Sequence, residues 1–222
     1  MNYFQLLYNL CSIYDSLENK VVTHNDIVRK IKKTVPFTEC KIIGNSSLSL
    51  ATNGFIVAGL YDCELDEDGK PPIEVEIIFP KRKETFSFTQ DDVSKEHWGE
   101  FCVDFVNILG HEFVHLNQFR RRDFNWSRPY KSLSTKPHIK EQQEYYGNSD
   151  EIDAYAFMAA AELVMNSIFN PNRKKPDLEK TDVYKTYTRW FDKKDPVVVK
   201  LAALSDRYYK RLKKQYYVTY NQ

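Results

Sequence analysis

Residues 111–115 read His-Glu-Phe-Val-His, an H-E-x-x-H pattern that uses two of the five histidines in the chain. On an α-helix, residues four apart differ by only about 40° around the axis. His111 and His115 would therefore point the same way and could share one tetrahedral ion. Glu112 lies about 100° round from His111, beside such an ion rather than on it, where a base for a metal-activated water belongs. The neighbouring residues agree with this reading. Asp104, Asn107, His111, His115 and Gln118 cluster on one side of the helix, and Phe105, Leu109 and Leu116 form an apolar back. Gly110 costs about 1 kcal/mol in a helix interior and makes best sense where something approaches closely. The plainer alternative is two surface histidines on a core helix. Glu112, the polar stripe and Gly110 all weigh against it.

A catalytic zinc site needs a third protein ligand. The metzincin continuation would put Gly at 118 and His at 121, but these positions hold Gln118 and Arg121, which excludes that family. Three sources remain. Glu151 opens the segment EIDAYAFMAAAEL, whose small residues would let a helix pack tightly. His138 lies in a Pro-containing stretch. Glu144, Asp150 and Asp153 are further carboxylates. A ligand on a rigid helix is held better than one in a loop, which favours Glu151. Glu151 would also stabilise the start of its own helix by its charge.

The pairing of HEFVH with a downstream helix that begins Glu-x-x-Ala resembles gluzincin-type zinc metallopeptidases. Within that group, EIDAYAFMAAAELVM is similar to the Glu-x-acidic-Ala-x-x-Phe-Ala helix of ImmA/IrrE-type peptidases, phage and prophage members included. The resemblance covers roughly residues 101–165. It implies His111, His115 and Glu151 as ligands of one Zn²⁺ per chain, Glu112 as catalytic base, and an endopeptidase acting on protein or peptide substrates. Tyr155 stands where thermolysin-like relatives have an Asp that orients a ligand histidine, so outer support would come from Asp104 or Asp150. Tyr145, Tyr146 and His138 are candidate oxyanion donors. Two other readings stay open. One is a catalytically idle zincin fold that binds a protein or nucleic-acid partner, drawing on Phe119-Arg-Arg-Arg-Asp123 and a basic C-terminal helix. The other is a DNA-associated peptidase of the SprT sort, with His138 as ligand.

The elements that must position these residues are legible in outline. Helix-period apolar residues run through 3–35, with Thr23 and Asn25 as caps between two helices and Pro36 after the second. Phe55–Leu65 and Ile73–Phe79 favour strands, separated by the acidic turn segment 66–72. Their pairing gives a hairpin with one wet face and an edge for an extended peptide. Glu74 or Glu76 in the cleft would favour a basic peptide. A third short strand is expected at Thr85–Phe88. A long helix follows from about Trp98 to Arg122, then a loop over 123–140. A second strong helix runs from Ser149 to before Pro171, a connector spans 170–180, and a last helix opened by Asp195-Pro196 ends near Tyr217. The expected fold is α+β and zincin-like: a small antiparallel sheet on the HEFVH helix, with helical additions at both ends. One metallopeptidase-like domain spans 1–222, with an N-terminal helical part (1–50), a catalytic core (55–170) and a basic helical part (171–222).

Composition bounds the class. The 222 residues carry 32 Lys/Arg against 31 Asp/Glu, which excludes a nucleic-acid coat or an acidic tail protein. Apolar residues at 42% argue for a real core. Charge is uneven: residues 171–222 carry 14 Lys/Arg against 6 Asp/Glu, and residues 61–100 carry 5 against 12. A solvated basic helix and a solvated acidic hairpin account for this without a partner. Cys11, Cys40, Cys63 and Cys102 form no C-x-x-C pair and read as reduced thiols of a cytoplasmic protein, in the host cytoplasm for a phage-encoded chain. The N-terminus lacks a basic leader and reads as an amphipathic helix. The longest apolar run, Ala154 to Ala161, is far short of the roughly 18–20 residues of a membrane span.

Overall fold

The computed structural model describes residues 2–47, 55–169 and 177–220. It is a mixed α+β chain that divides into two compact units, Met1–Leu116 and Asn117–Gln222.

In the first unit, α1 (Tyr3–Leu17) buries Phe4, Leu7, Leu10 and Tyr14 along one stripe. The helix α2 (His24–Thr34) starts at a reciprocal cap: Thr23 Oγ1 accepts from the Asp26 N–H, and the Asp26 carboxylate accepts from the Thr23 N–H. Hydrogen bonds from Thr23 hold the Asp26 carboxyl below its ordinary value. Just before this cap, β1 (Val21–Thr23) pairs antiparallel with β5 (Thr85–Ser87). The three-stranded sheet has the order β2 (Cys40–Ser47), β4 (Ile73–Pro80), β3 (Ile56–Tyr61).

The expected antiparallel pair is present as β3 and β4, but the sheet is mixed, because β2 runs parallel to β4. The third expected strand, β5, joins β1 instead of this sheet. The acidic segment after β3 is partly helical: α3 (Cys63–Glu67) is capped by Asp62, whose carboxylate accepts from the Glu64 and Leu65 N–H groups. The alternation read in β4 is realised. Ile73, Val75, Ile77 and Phe79 are fully buried. Glu74 and Glu76 face the other way, where Lys41 (2.8 Å) and Asn45 (2.7 Å) of β2 meet them. They do not share the face that Glu112 approaches.

The long helix α4 (Lys95–Arg121) is anchored at its start by an aromatic core in which Phe55, Phe88 and Phe101 surround Trp98. The Trp98 indole N–H donates to the Leu10 carbonyl at 3.0 Å, and the Tyr3 hydroxyl donates to Asn107 Oδ1 at 2.8 Å. One member of the expected polar stripe, Asn107, is thus spent on holding α1. All four cysteines are free. The Cys11 and Cys102 thiols hydrogen-bond one another, and burial pushes the Cys102 thiol up.

The second unit is helical. After the end of α4 come α5 (Pro137–Tyr146), α6 (Ser149–Phe169), a 3-10 turn (Leu178–Lys180), α7 (Asp182–Trp190) and α8 (Pro196–Tyr220). The loop expected over 123–140 ends early, because Pro137 opens α5 at a first-turn position, where its missing N–H costs nothing. The helix α7 was not expected. It is capped by Thr181, which accepts from the Tyr184 N–H, and it presents Val183, Tyr184 and Tyr187 to the core. That core also takes Ile152 and Ala156 of α6 and Leu201 of α8. The fully buried Ala156 and Ala159 make room for it, as the small-residue run implied. Residues 170–176 of the expected connector lie outside the described residues, as do 48–54. Among the described residues no helix is long and apolar enough to cross a membrane.

Candidate metal centre

The helix α4 buries both histidines and the glutamate between them: His111 and His115 are each 8% exposed and Glu112 7%. One turn separates the two imidazoles, and their Nε2 atoms stand 3.1 Å apart, with the rings at 75°. At that distance the two nitrogens either share one proton or aim both lone pairs at one cation. Zn–N bonds of 2.0–2.1 Å set tetrahedral ligands about 3.4 Å apart, so the spacing suits a shared ion with little adjustment.

Glu112 has an equally specific neighbour. An alanine Cβ at Gly59 of β3 would stand 2.5 Å from Ile108 Cγ2 and 2.8 Å from Glu112 Oε1. Only glycine lets the strand run this close to the helix. The edge strand of the sheet therefore passes directly beside the carboxylate that follows His111. In β3 the side chains alternate, so Ile56 and Leu60 project from the opposite face and are exposed.

Glu151 sits in the first turn of α6, half-buried, where a negative charge is favourable. The Tyr145 hydroxyl hydrogen-bonds with it and with Tyr155. Burial and the Glu151 charge push the Tyr145 hydroxyl well above the ordinary phenol range, and burial pushes Tyr155 up to about 12. Tyr146 and Tyr187 close this group: Tyr146 lies 5.4 Å from both Tyr155 and Tyr187, centroid to centroid. His111, His115 and Glu151 form a group whose ligand atoms all lie within 4.8 Å of one another. Two imidazoles and one carboxylate make a donor set suited to a borderline cation such as zinc.

The remaining candidates go elsewhere. Asp150 is held by Arg122 through two bonds of 2.7 and 2.8 Å, which raises the Arg122 guanidinium further. Asp153 accepts from Gln118 Nε2 at 3.2 Å and hydrogen-bonds with Tyr208. Glu144 lies 3.9 Å from Lys140. His138 is exposed at the start of α5, with its ring edge against Trp190 at 5.3 Å. Asp104 is exposed on α4, two turns before His111. Sequence reasoning missed two neighbours. Gly59 was detectable as a glycine inside one of the two strand-forming runs. Tyr187 left no local mark. Comparison with known protein families, with curated proteins and with solved structures yields no match.

Proposed function

We propose that this chain is a zinc-dependent peptidase with a zincin-like core, in which His111, His115 and Glu151 hold the metal and Glu112 is the general base. One observation carries the reading: the ligand atoms of these three residues gather within 4.8 Å, next to a glutamate that follows the first histidine on the same helix. Zinc bound by such a set is a Lewis acid that lowers the pKa of water toward about 7 and polarises a carbonyl. Glu112 takes the proton from the attacking water and returns it to the departing amine. Its burial keeps bulk water away from that transfer, and the close pass of Gly59 limits where its carboxylate can swing. The outer edge of β3, which pairs with no strand among the described residues, offers backbone groups to an extended peptide alongside Glu112.

Elemental analysis of untagged protein purified without added metal tests the reading. About one zinc per chain is expected; a folded chain that takes up none after reconstitution overturns it. A smaller effect belongs to Tyr145. Its hydroxyl orients the Glu151 carboxylate, so Tyr145→Phe is expected to weaken zinc binding by about 10–100-fold, the usual cost of losing an outer-shell partner. Competition against a chromogenic chelator reads this directly. Equal affinity in the variant would reduce the hydroxyl to a packing role.

A further inference from the structure

We propose that the outward face of α8 binds single-stranded nucleic acid, with its cations on the phosphates and Tyr217 on a base.

The buried side of α8 is apolar: Val197, Val198, Leu201 and Leu212 pack into the second unit, and Tyr208 meets Phe157 ring to edge at 5.7 Å. The opposite side is of another kind. Lys200, Arg207, Arg211 and Lys214 are all exposed, at spacings of seven, four and three residues that keep them within about 60° around the helix. At 1.5 Å per residue they line about 21 Å of its length, roughly the span of six stacked bases. Among the described residues none of the four forms an ion pair, whereas Lys210 beside them meets Asp206 at 2.6 Å. From Arg207 to the C-terminus the sequence contains no acidic residue and five tyrosines.

Uncompensated like charges repel one another, so a stripe of them calls for a polyanion. An acidic polypeptide would answer the charge alone. The exposed ring that continues the line of cations favours nucleic acid. Tyr217 is 50% exposed one turn beyond Lys214, on the outward side of the helix. Stacking on such a ring is open to an unpaired base and closed to a duplex.

The test is fluorescence anisotropy of a labelled oligothymidylate of about 20 nucleotides with the full chain, between 50 and 200 mM salt. Four phosphate contacts on a single strand predict a slope of log K against log salt of about −3. Neutralising the stripe in the quadruple variant K200Q/R207Q/R211Q/K214Q should cost at least about tenfold in affinity at 50 mM and flatten the slope. Y217A should weaken binding several-fold at an unchanged slope. Circular dichroism of the variants confirms that exposed substitutions leave the helix intact. Three results would each overturn the proposal: no binding by the parent chain at 50 mM salt, equal binding by the quadruple variant, or displacement of the oligonucleotide by polyglutamate at equal charge. The last would make an acidic protein the partner.

Discussion

Glu112→Gln is expected to lower peptide hydrolysis by about 10²–10⁴-fold while zinc content stays at one per chain. Glutamine has nearly the same volume as glutamate, so it fits the narrow space beside Gly59 and Ile108 without moving β3. It adds a donor but cannot accept the proton of the attacking water. The loss should therefore fall on kcat, with the metal retained, because Glu112 is not among the three clustered ligands. Metal analysis alongside turnover of a labelled protein substrate separates the two readouts. Unchanged turnover in the zinc-loaded variant would remove Glu112 from the chemistry. A parent chain that binds zinc and cleaves nothing would instead favour an idle module, which has no need of a base at this position.

The second large effect is on the metal itself. Glu151→Ala should abolish stoichiometric zinc, a loss exceeding the 10–100-fold that outer-shell substitutions cost. His138→Ala should leave zinc untouched, since that ring is exposed and turned to Trp190. Inductively coupled plasma measurement on both variants, dialysed against the same trace chelator, gives the comparison. The reverse pattern, zinc kept without Glu151 and lost without His138, would replace the carboxylate ligand by a third histidine. Because Tyr145 hydrogen-bonds with Glu151, the alanine variant also loses that bond, and a modest fall in thermal stability should accompany the metal loss.

The motif helix and the helix of Glu151 were readable because both are long and strongly patterned. The expected bounds Trp98–Arg122 and Ser149 to before Pro171 fall within a few residues of α4 and α6. What the sequence concealed is non-local. The strand β2 ends Gly-Asn-Ser-Ser, residues that favour turns, and it is a strand because β4 supplies its hydrogen bonds along the whole register. The three residues of β1 carry too short a pattern to register between two helices. In α5, Pro137 looked like a loop marker and proved to be a helix opener. At the candidate site, spacing gave His111, Glu112 and His115. Glu151 was already favoured over Asp150 and Asp153 by the Glu-x-x-Ala pattern that opens its helix; that Arg122 and Gln118 occupy those two aspartates is what no local pattern encodes.

The two units also differ in how far apart in the chain their contacts reach. In the first, Tyr3 meets Asn107 across 104 residues, Trp98 meets Leu10 across 88, and β1 finds β5 more than 60 residues away. In the second, Gln143 meets Trp190 across 47 and Gln118 meets Asp153 across 35. Loop-closure entropy and high contact order therefore burden the first unit more. During synthesis its opening helix cannot make its bonds to Trp98 and Asn107 until about a hundred further residues have left the ribosome. The two histidines lie just beyond those partners, so the unit that carries them closes only after nearly all of it has been made.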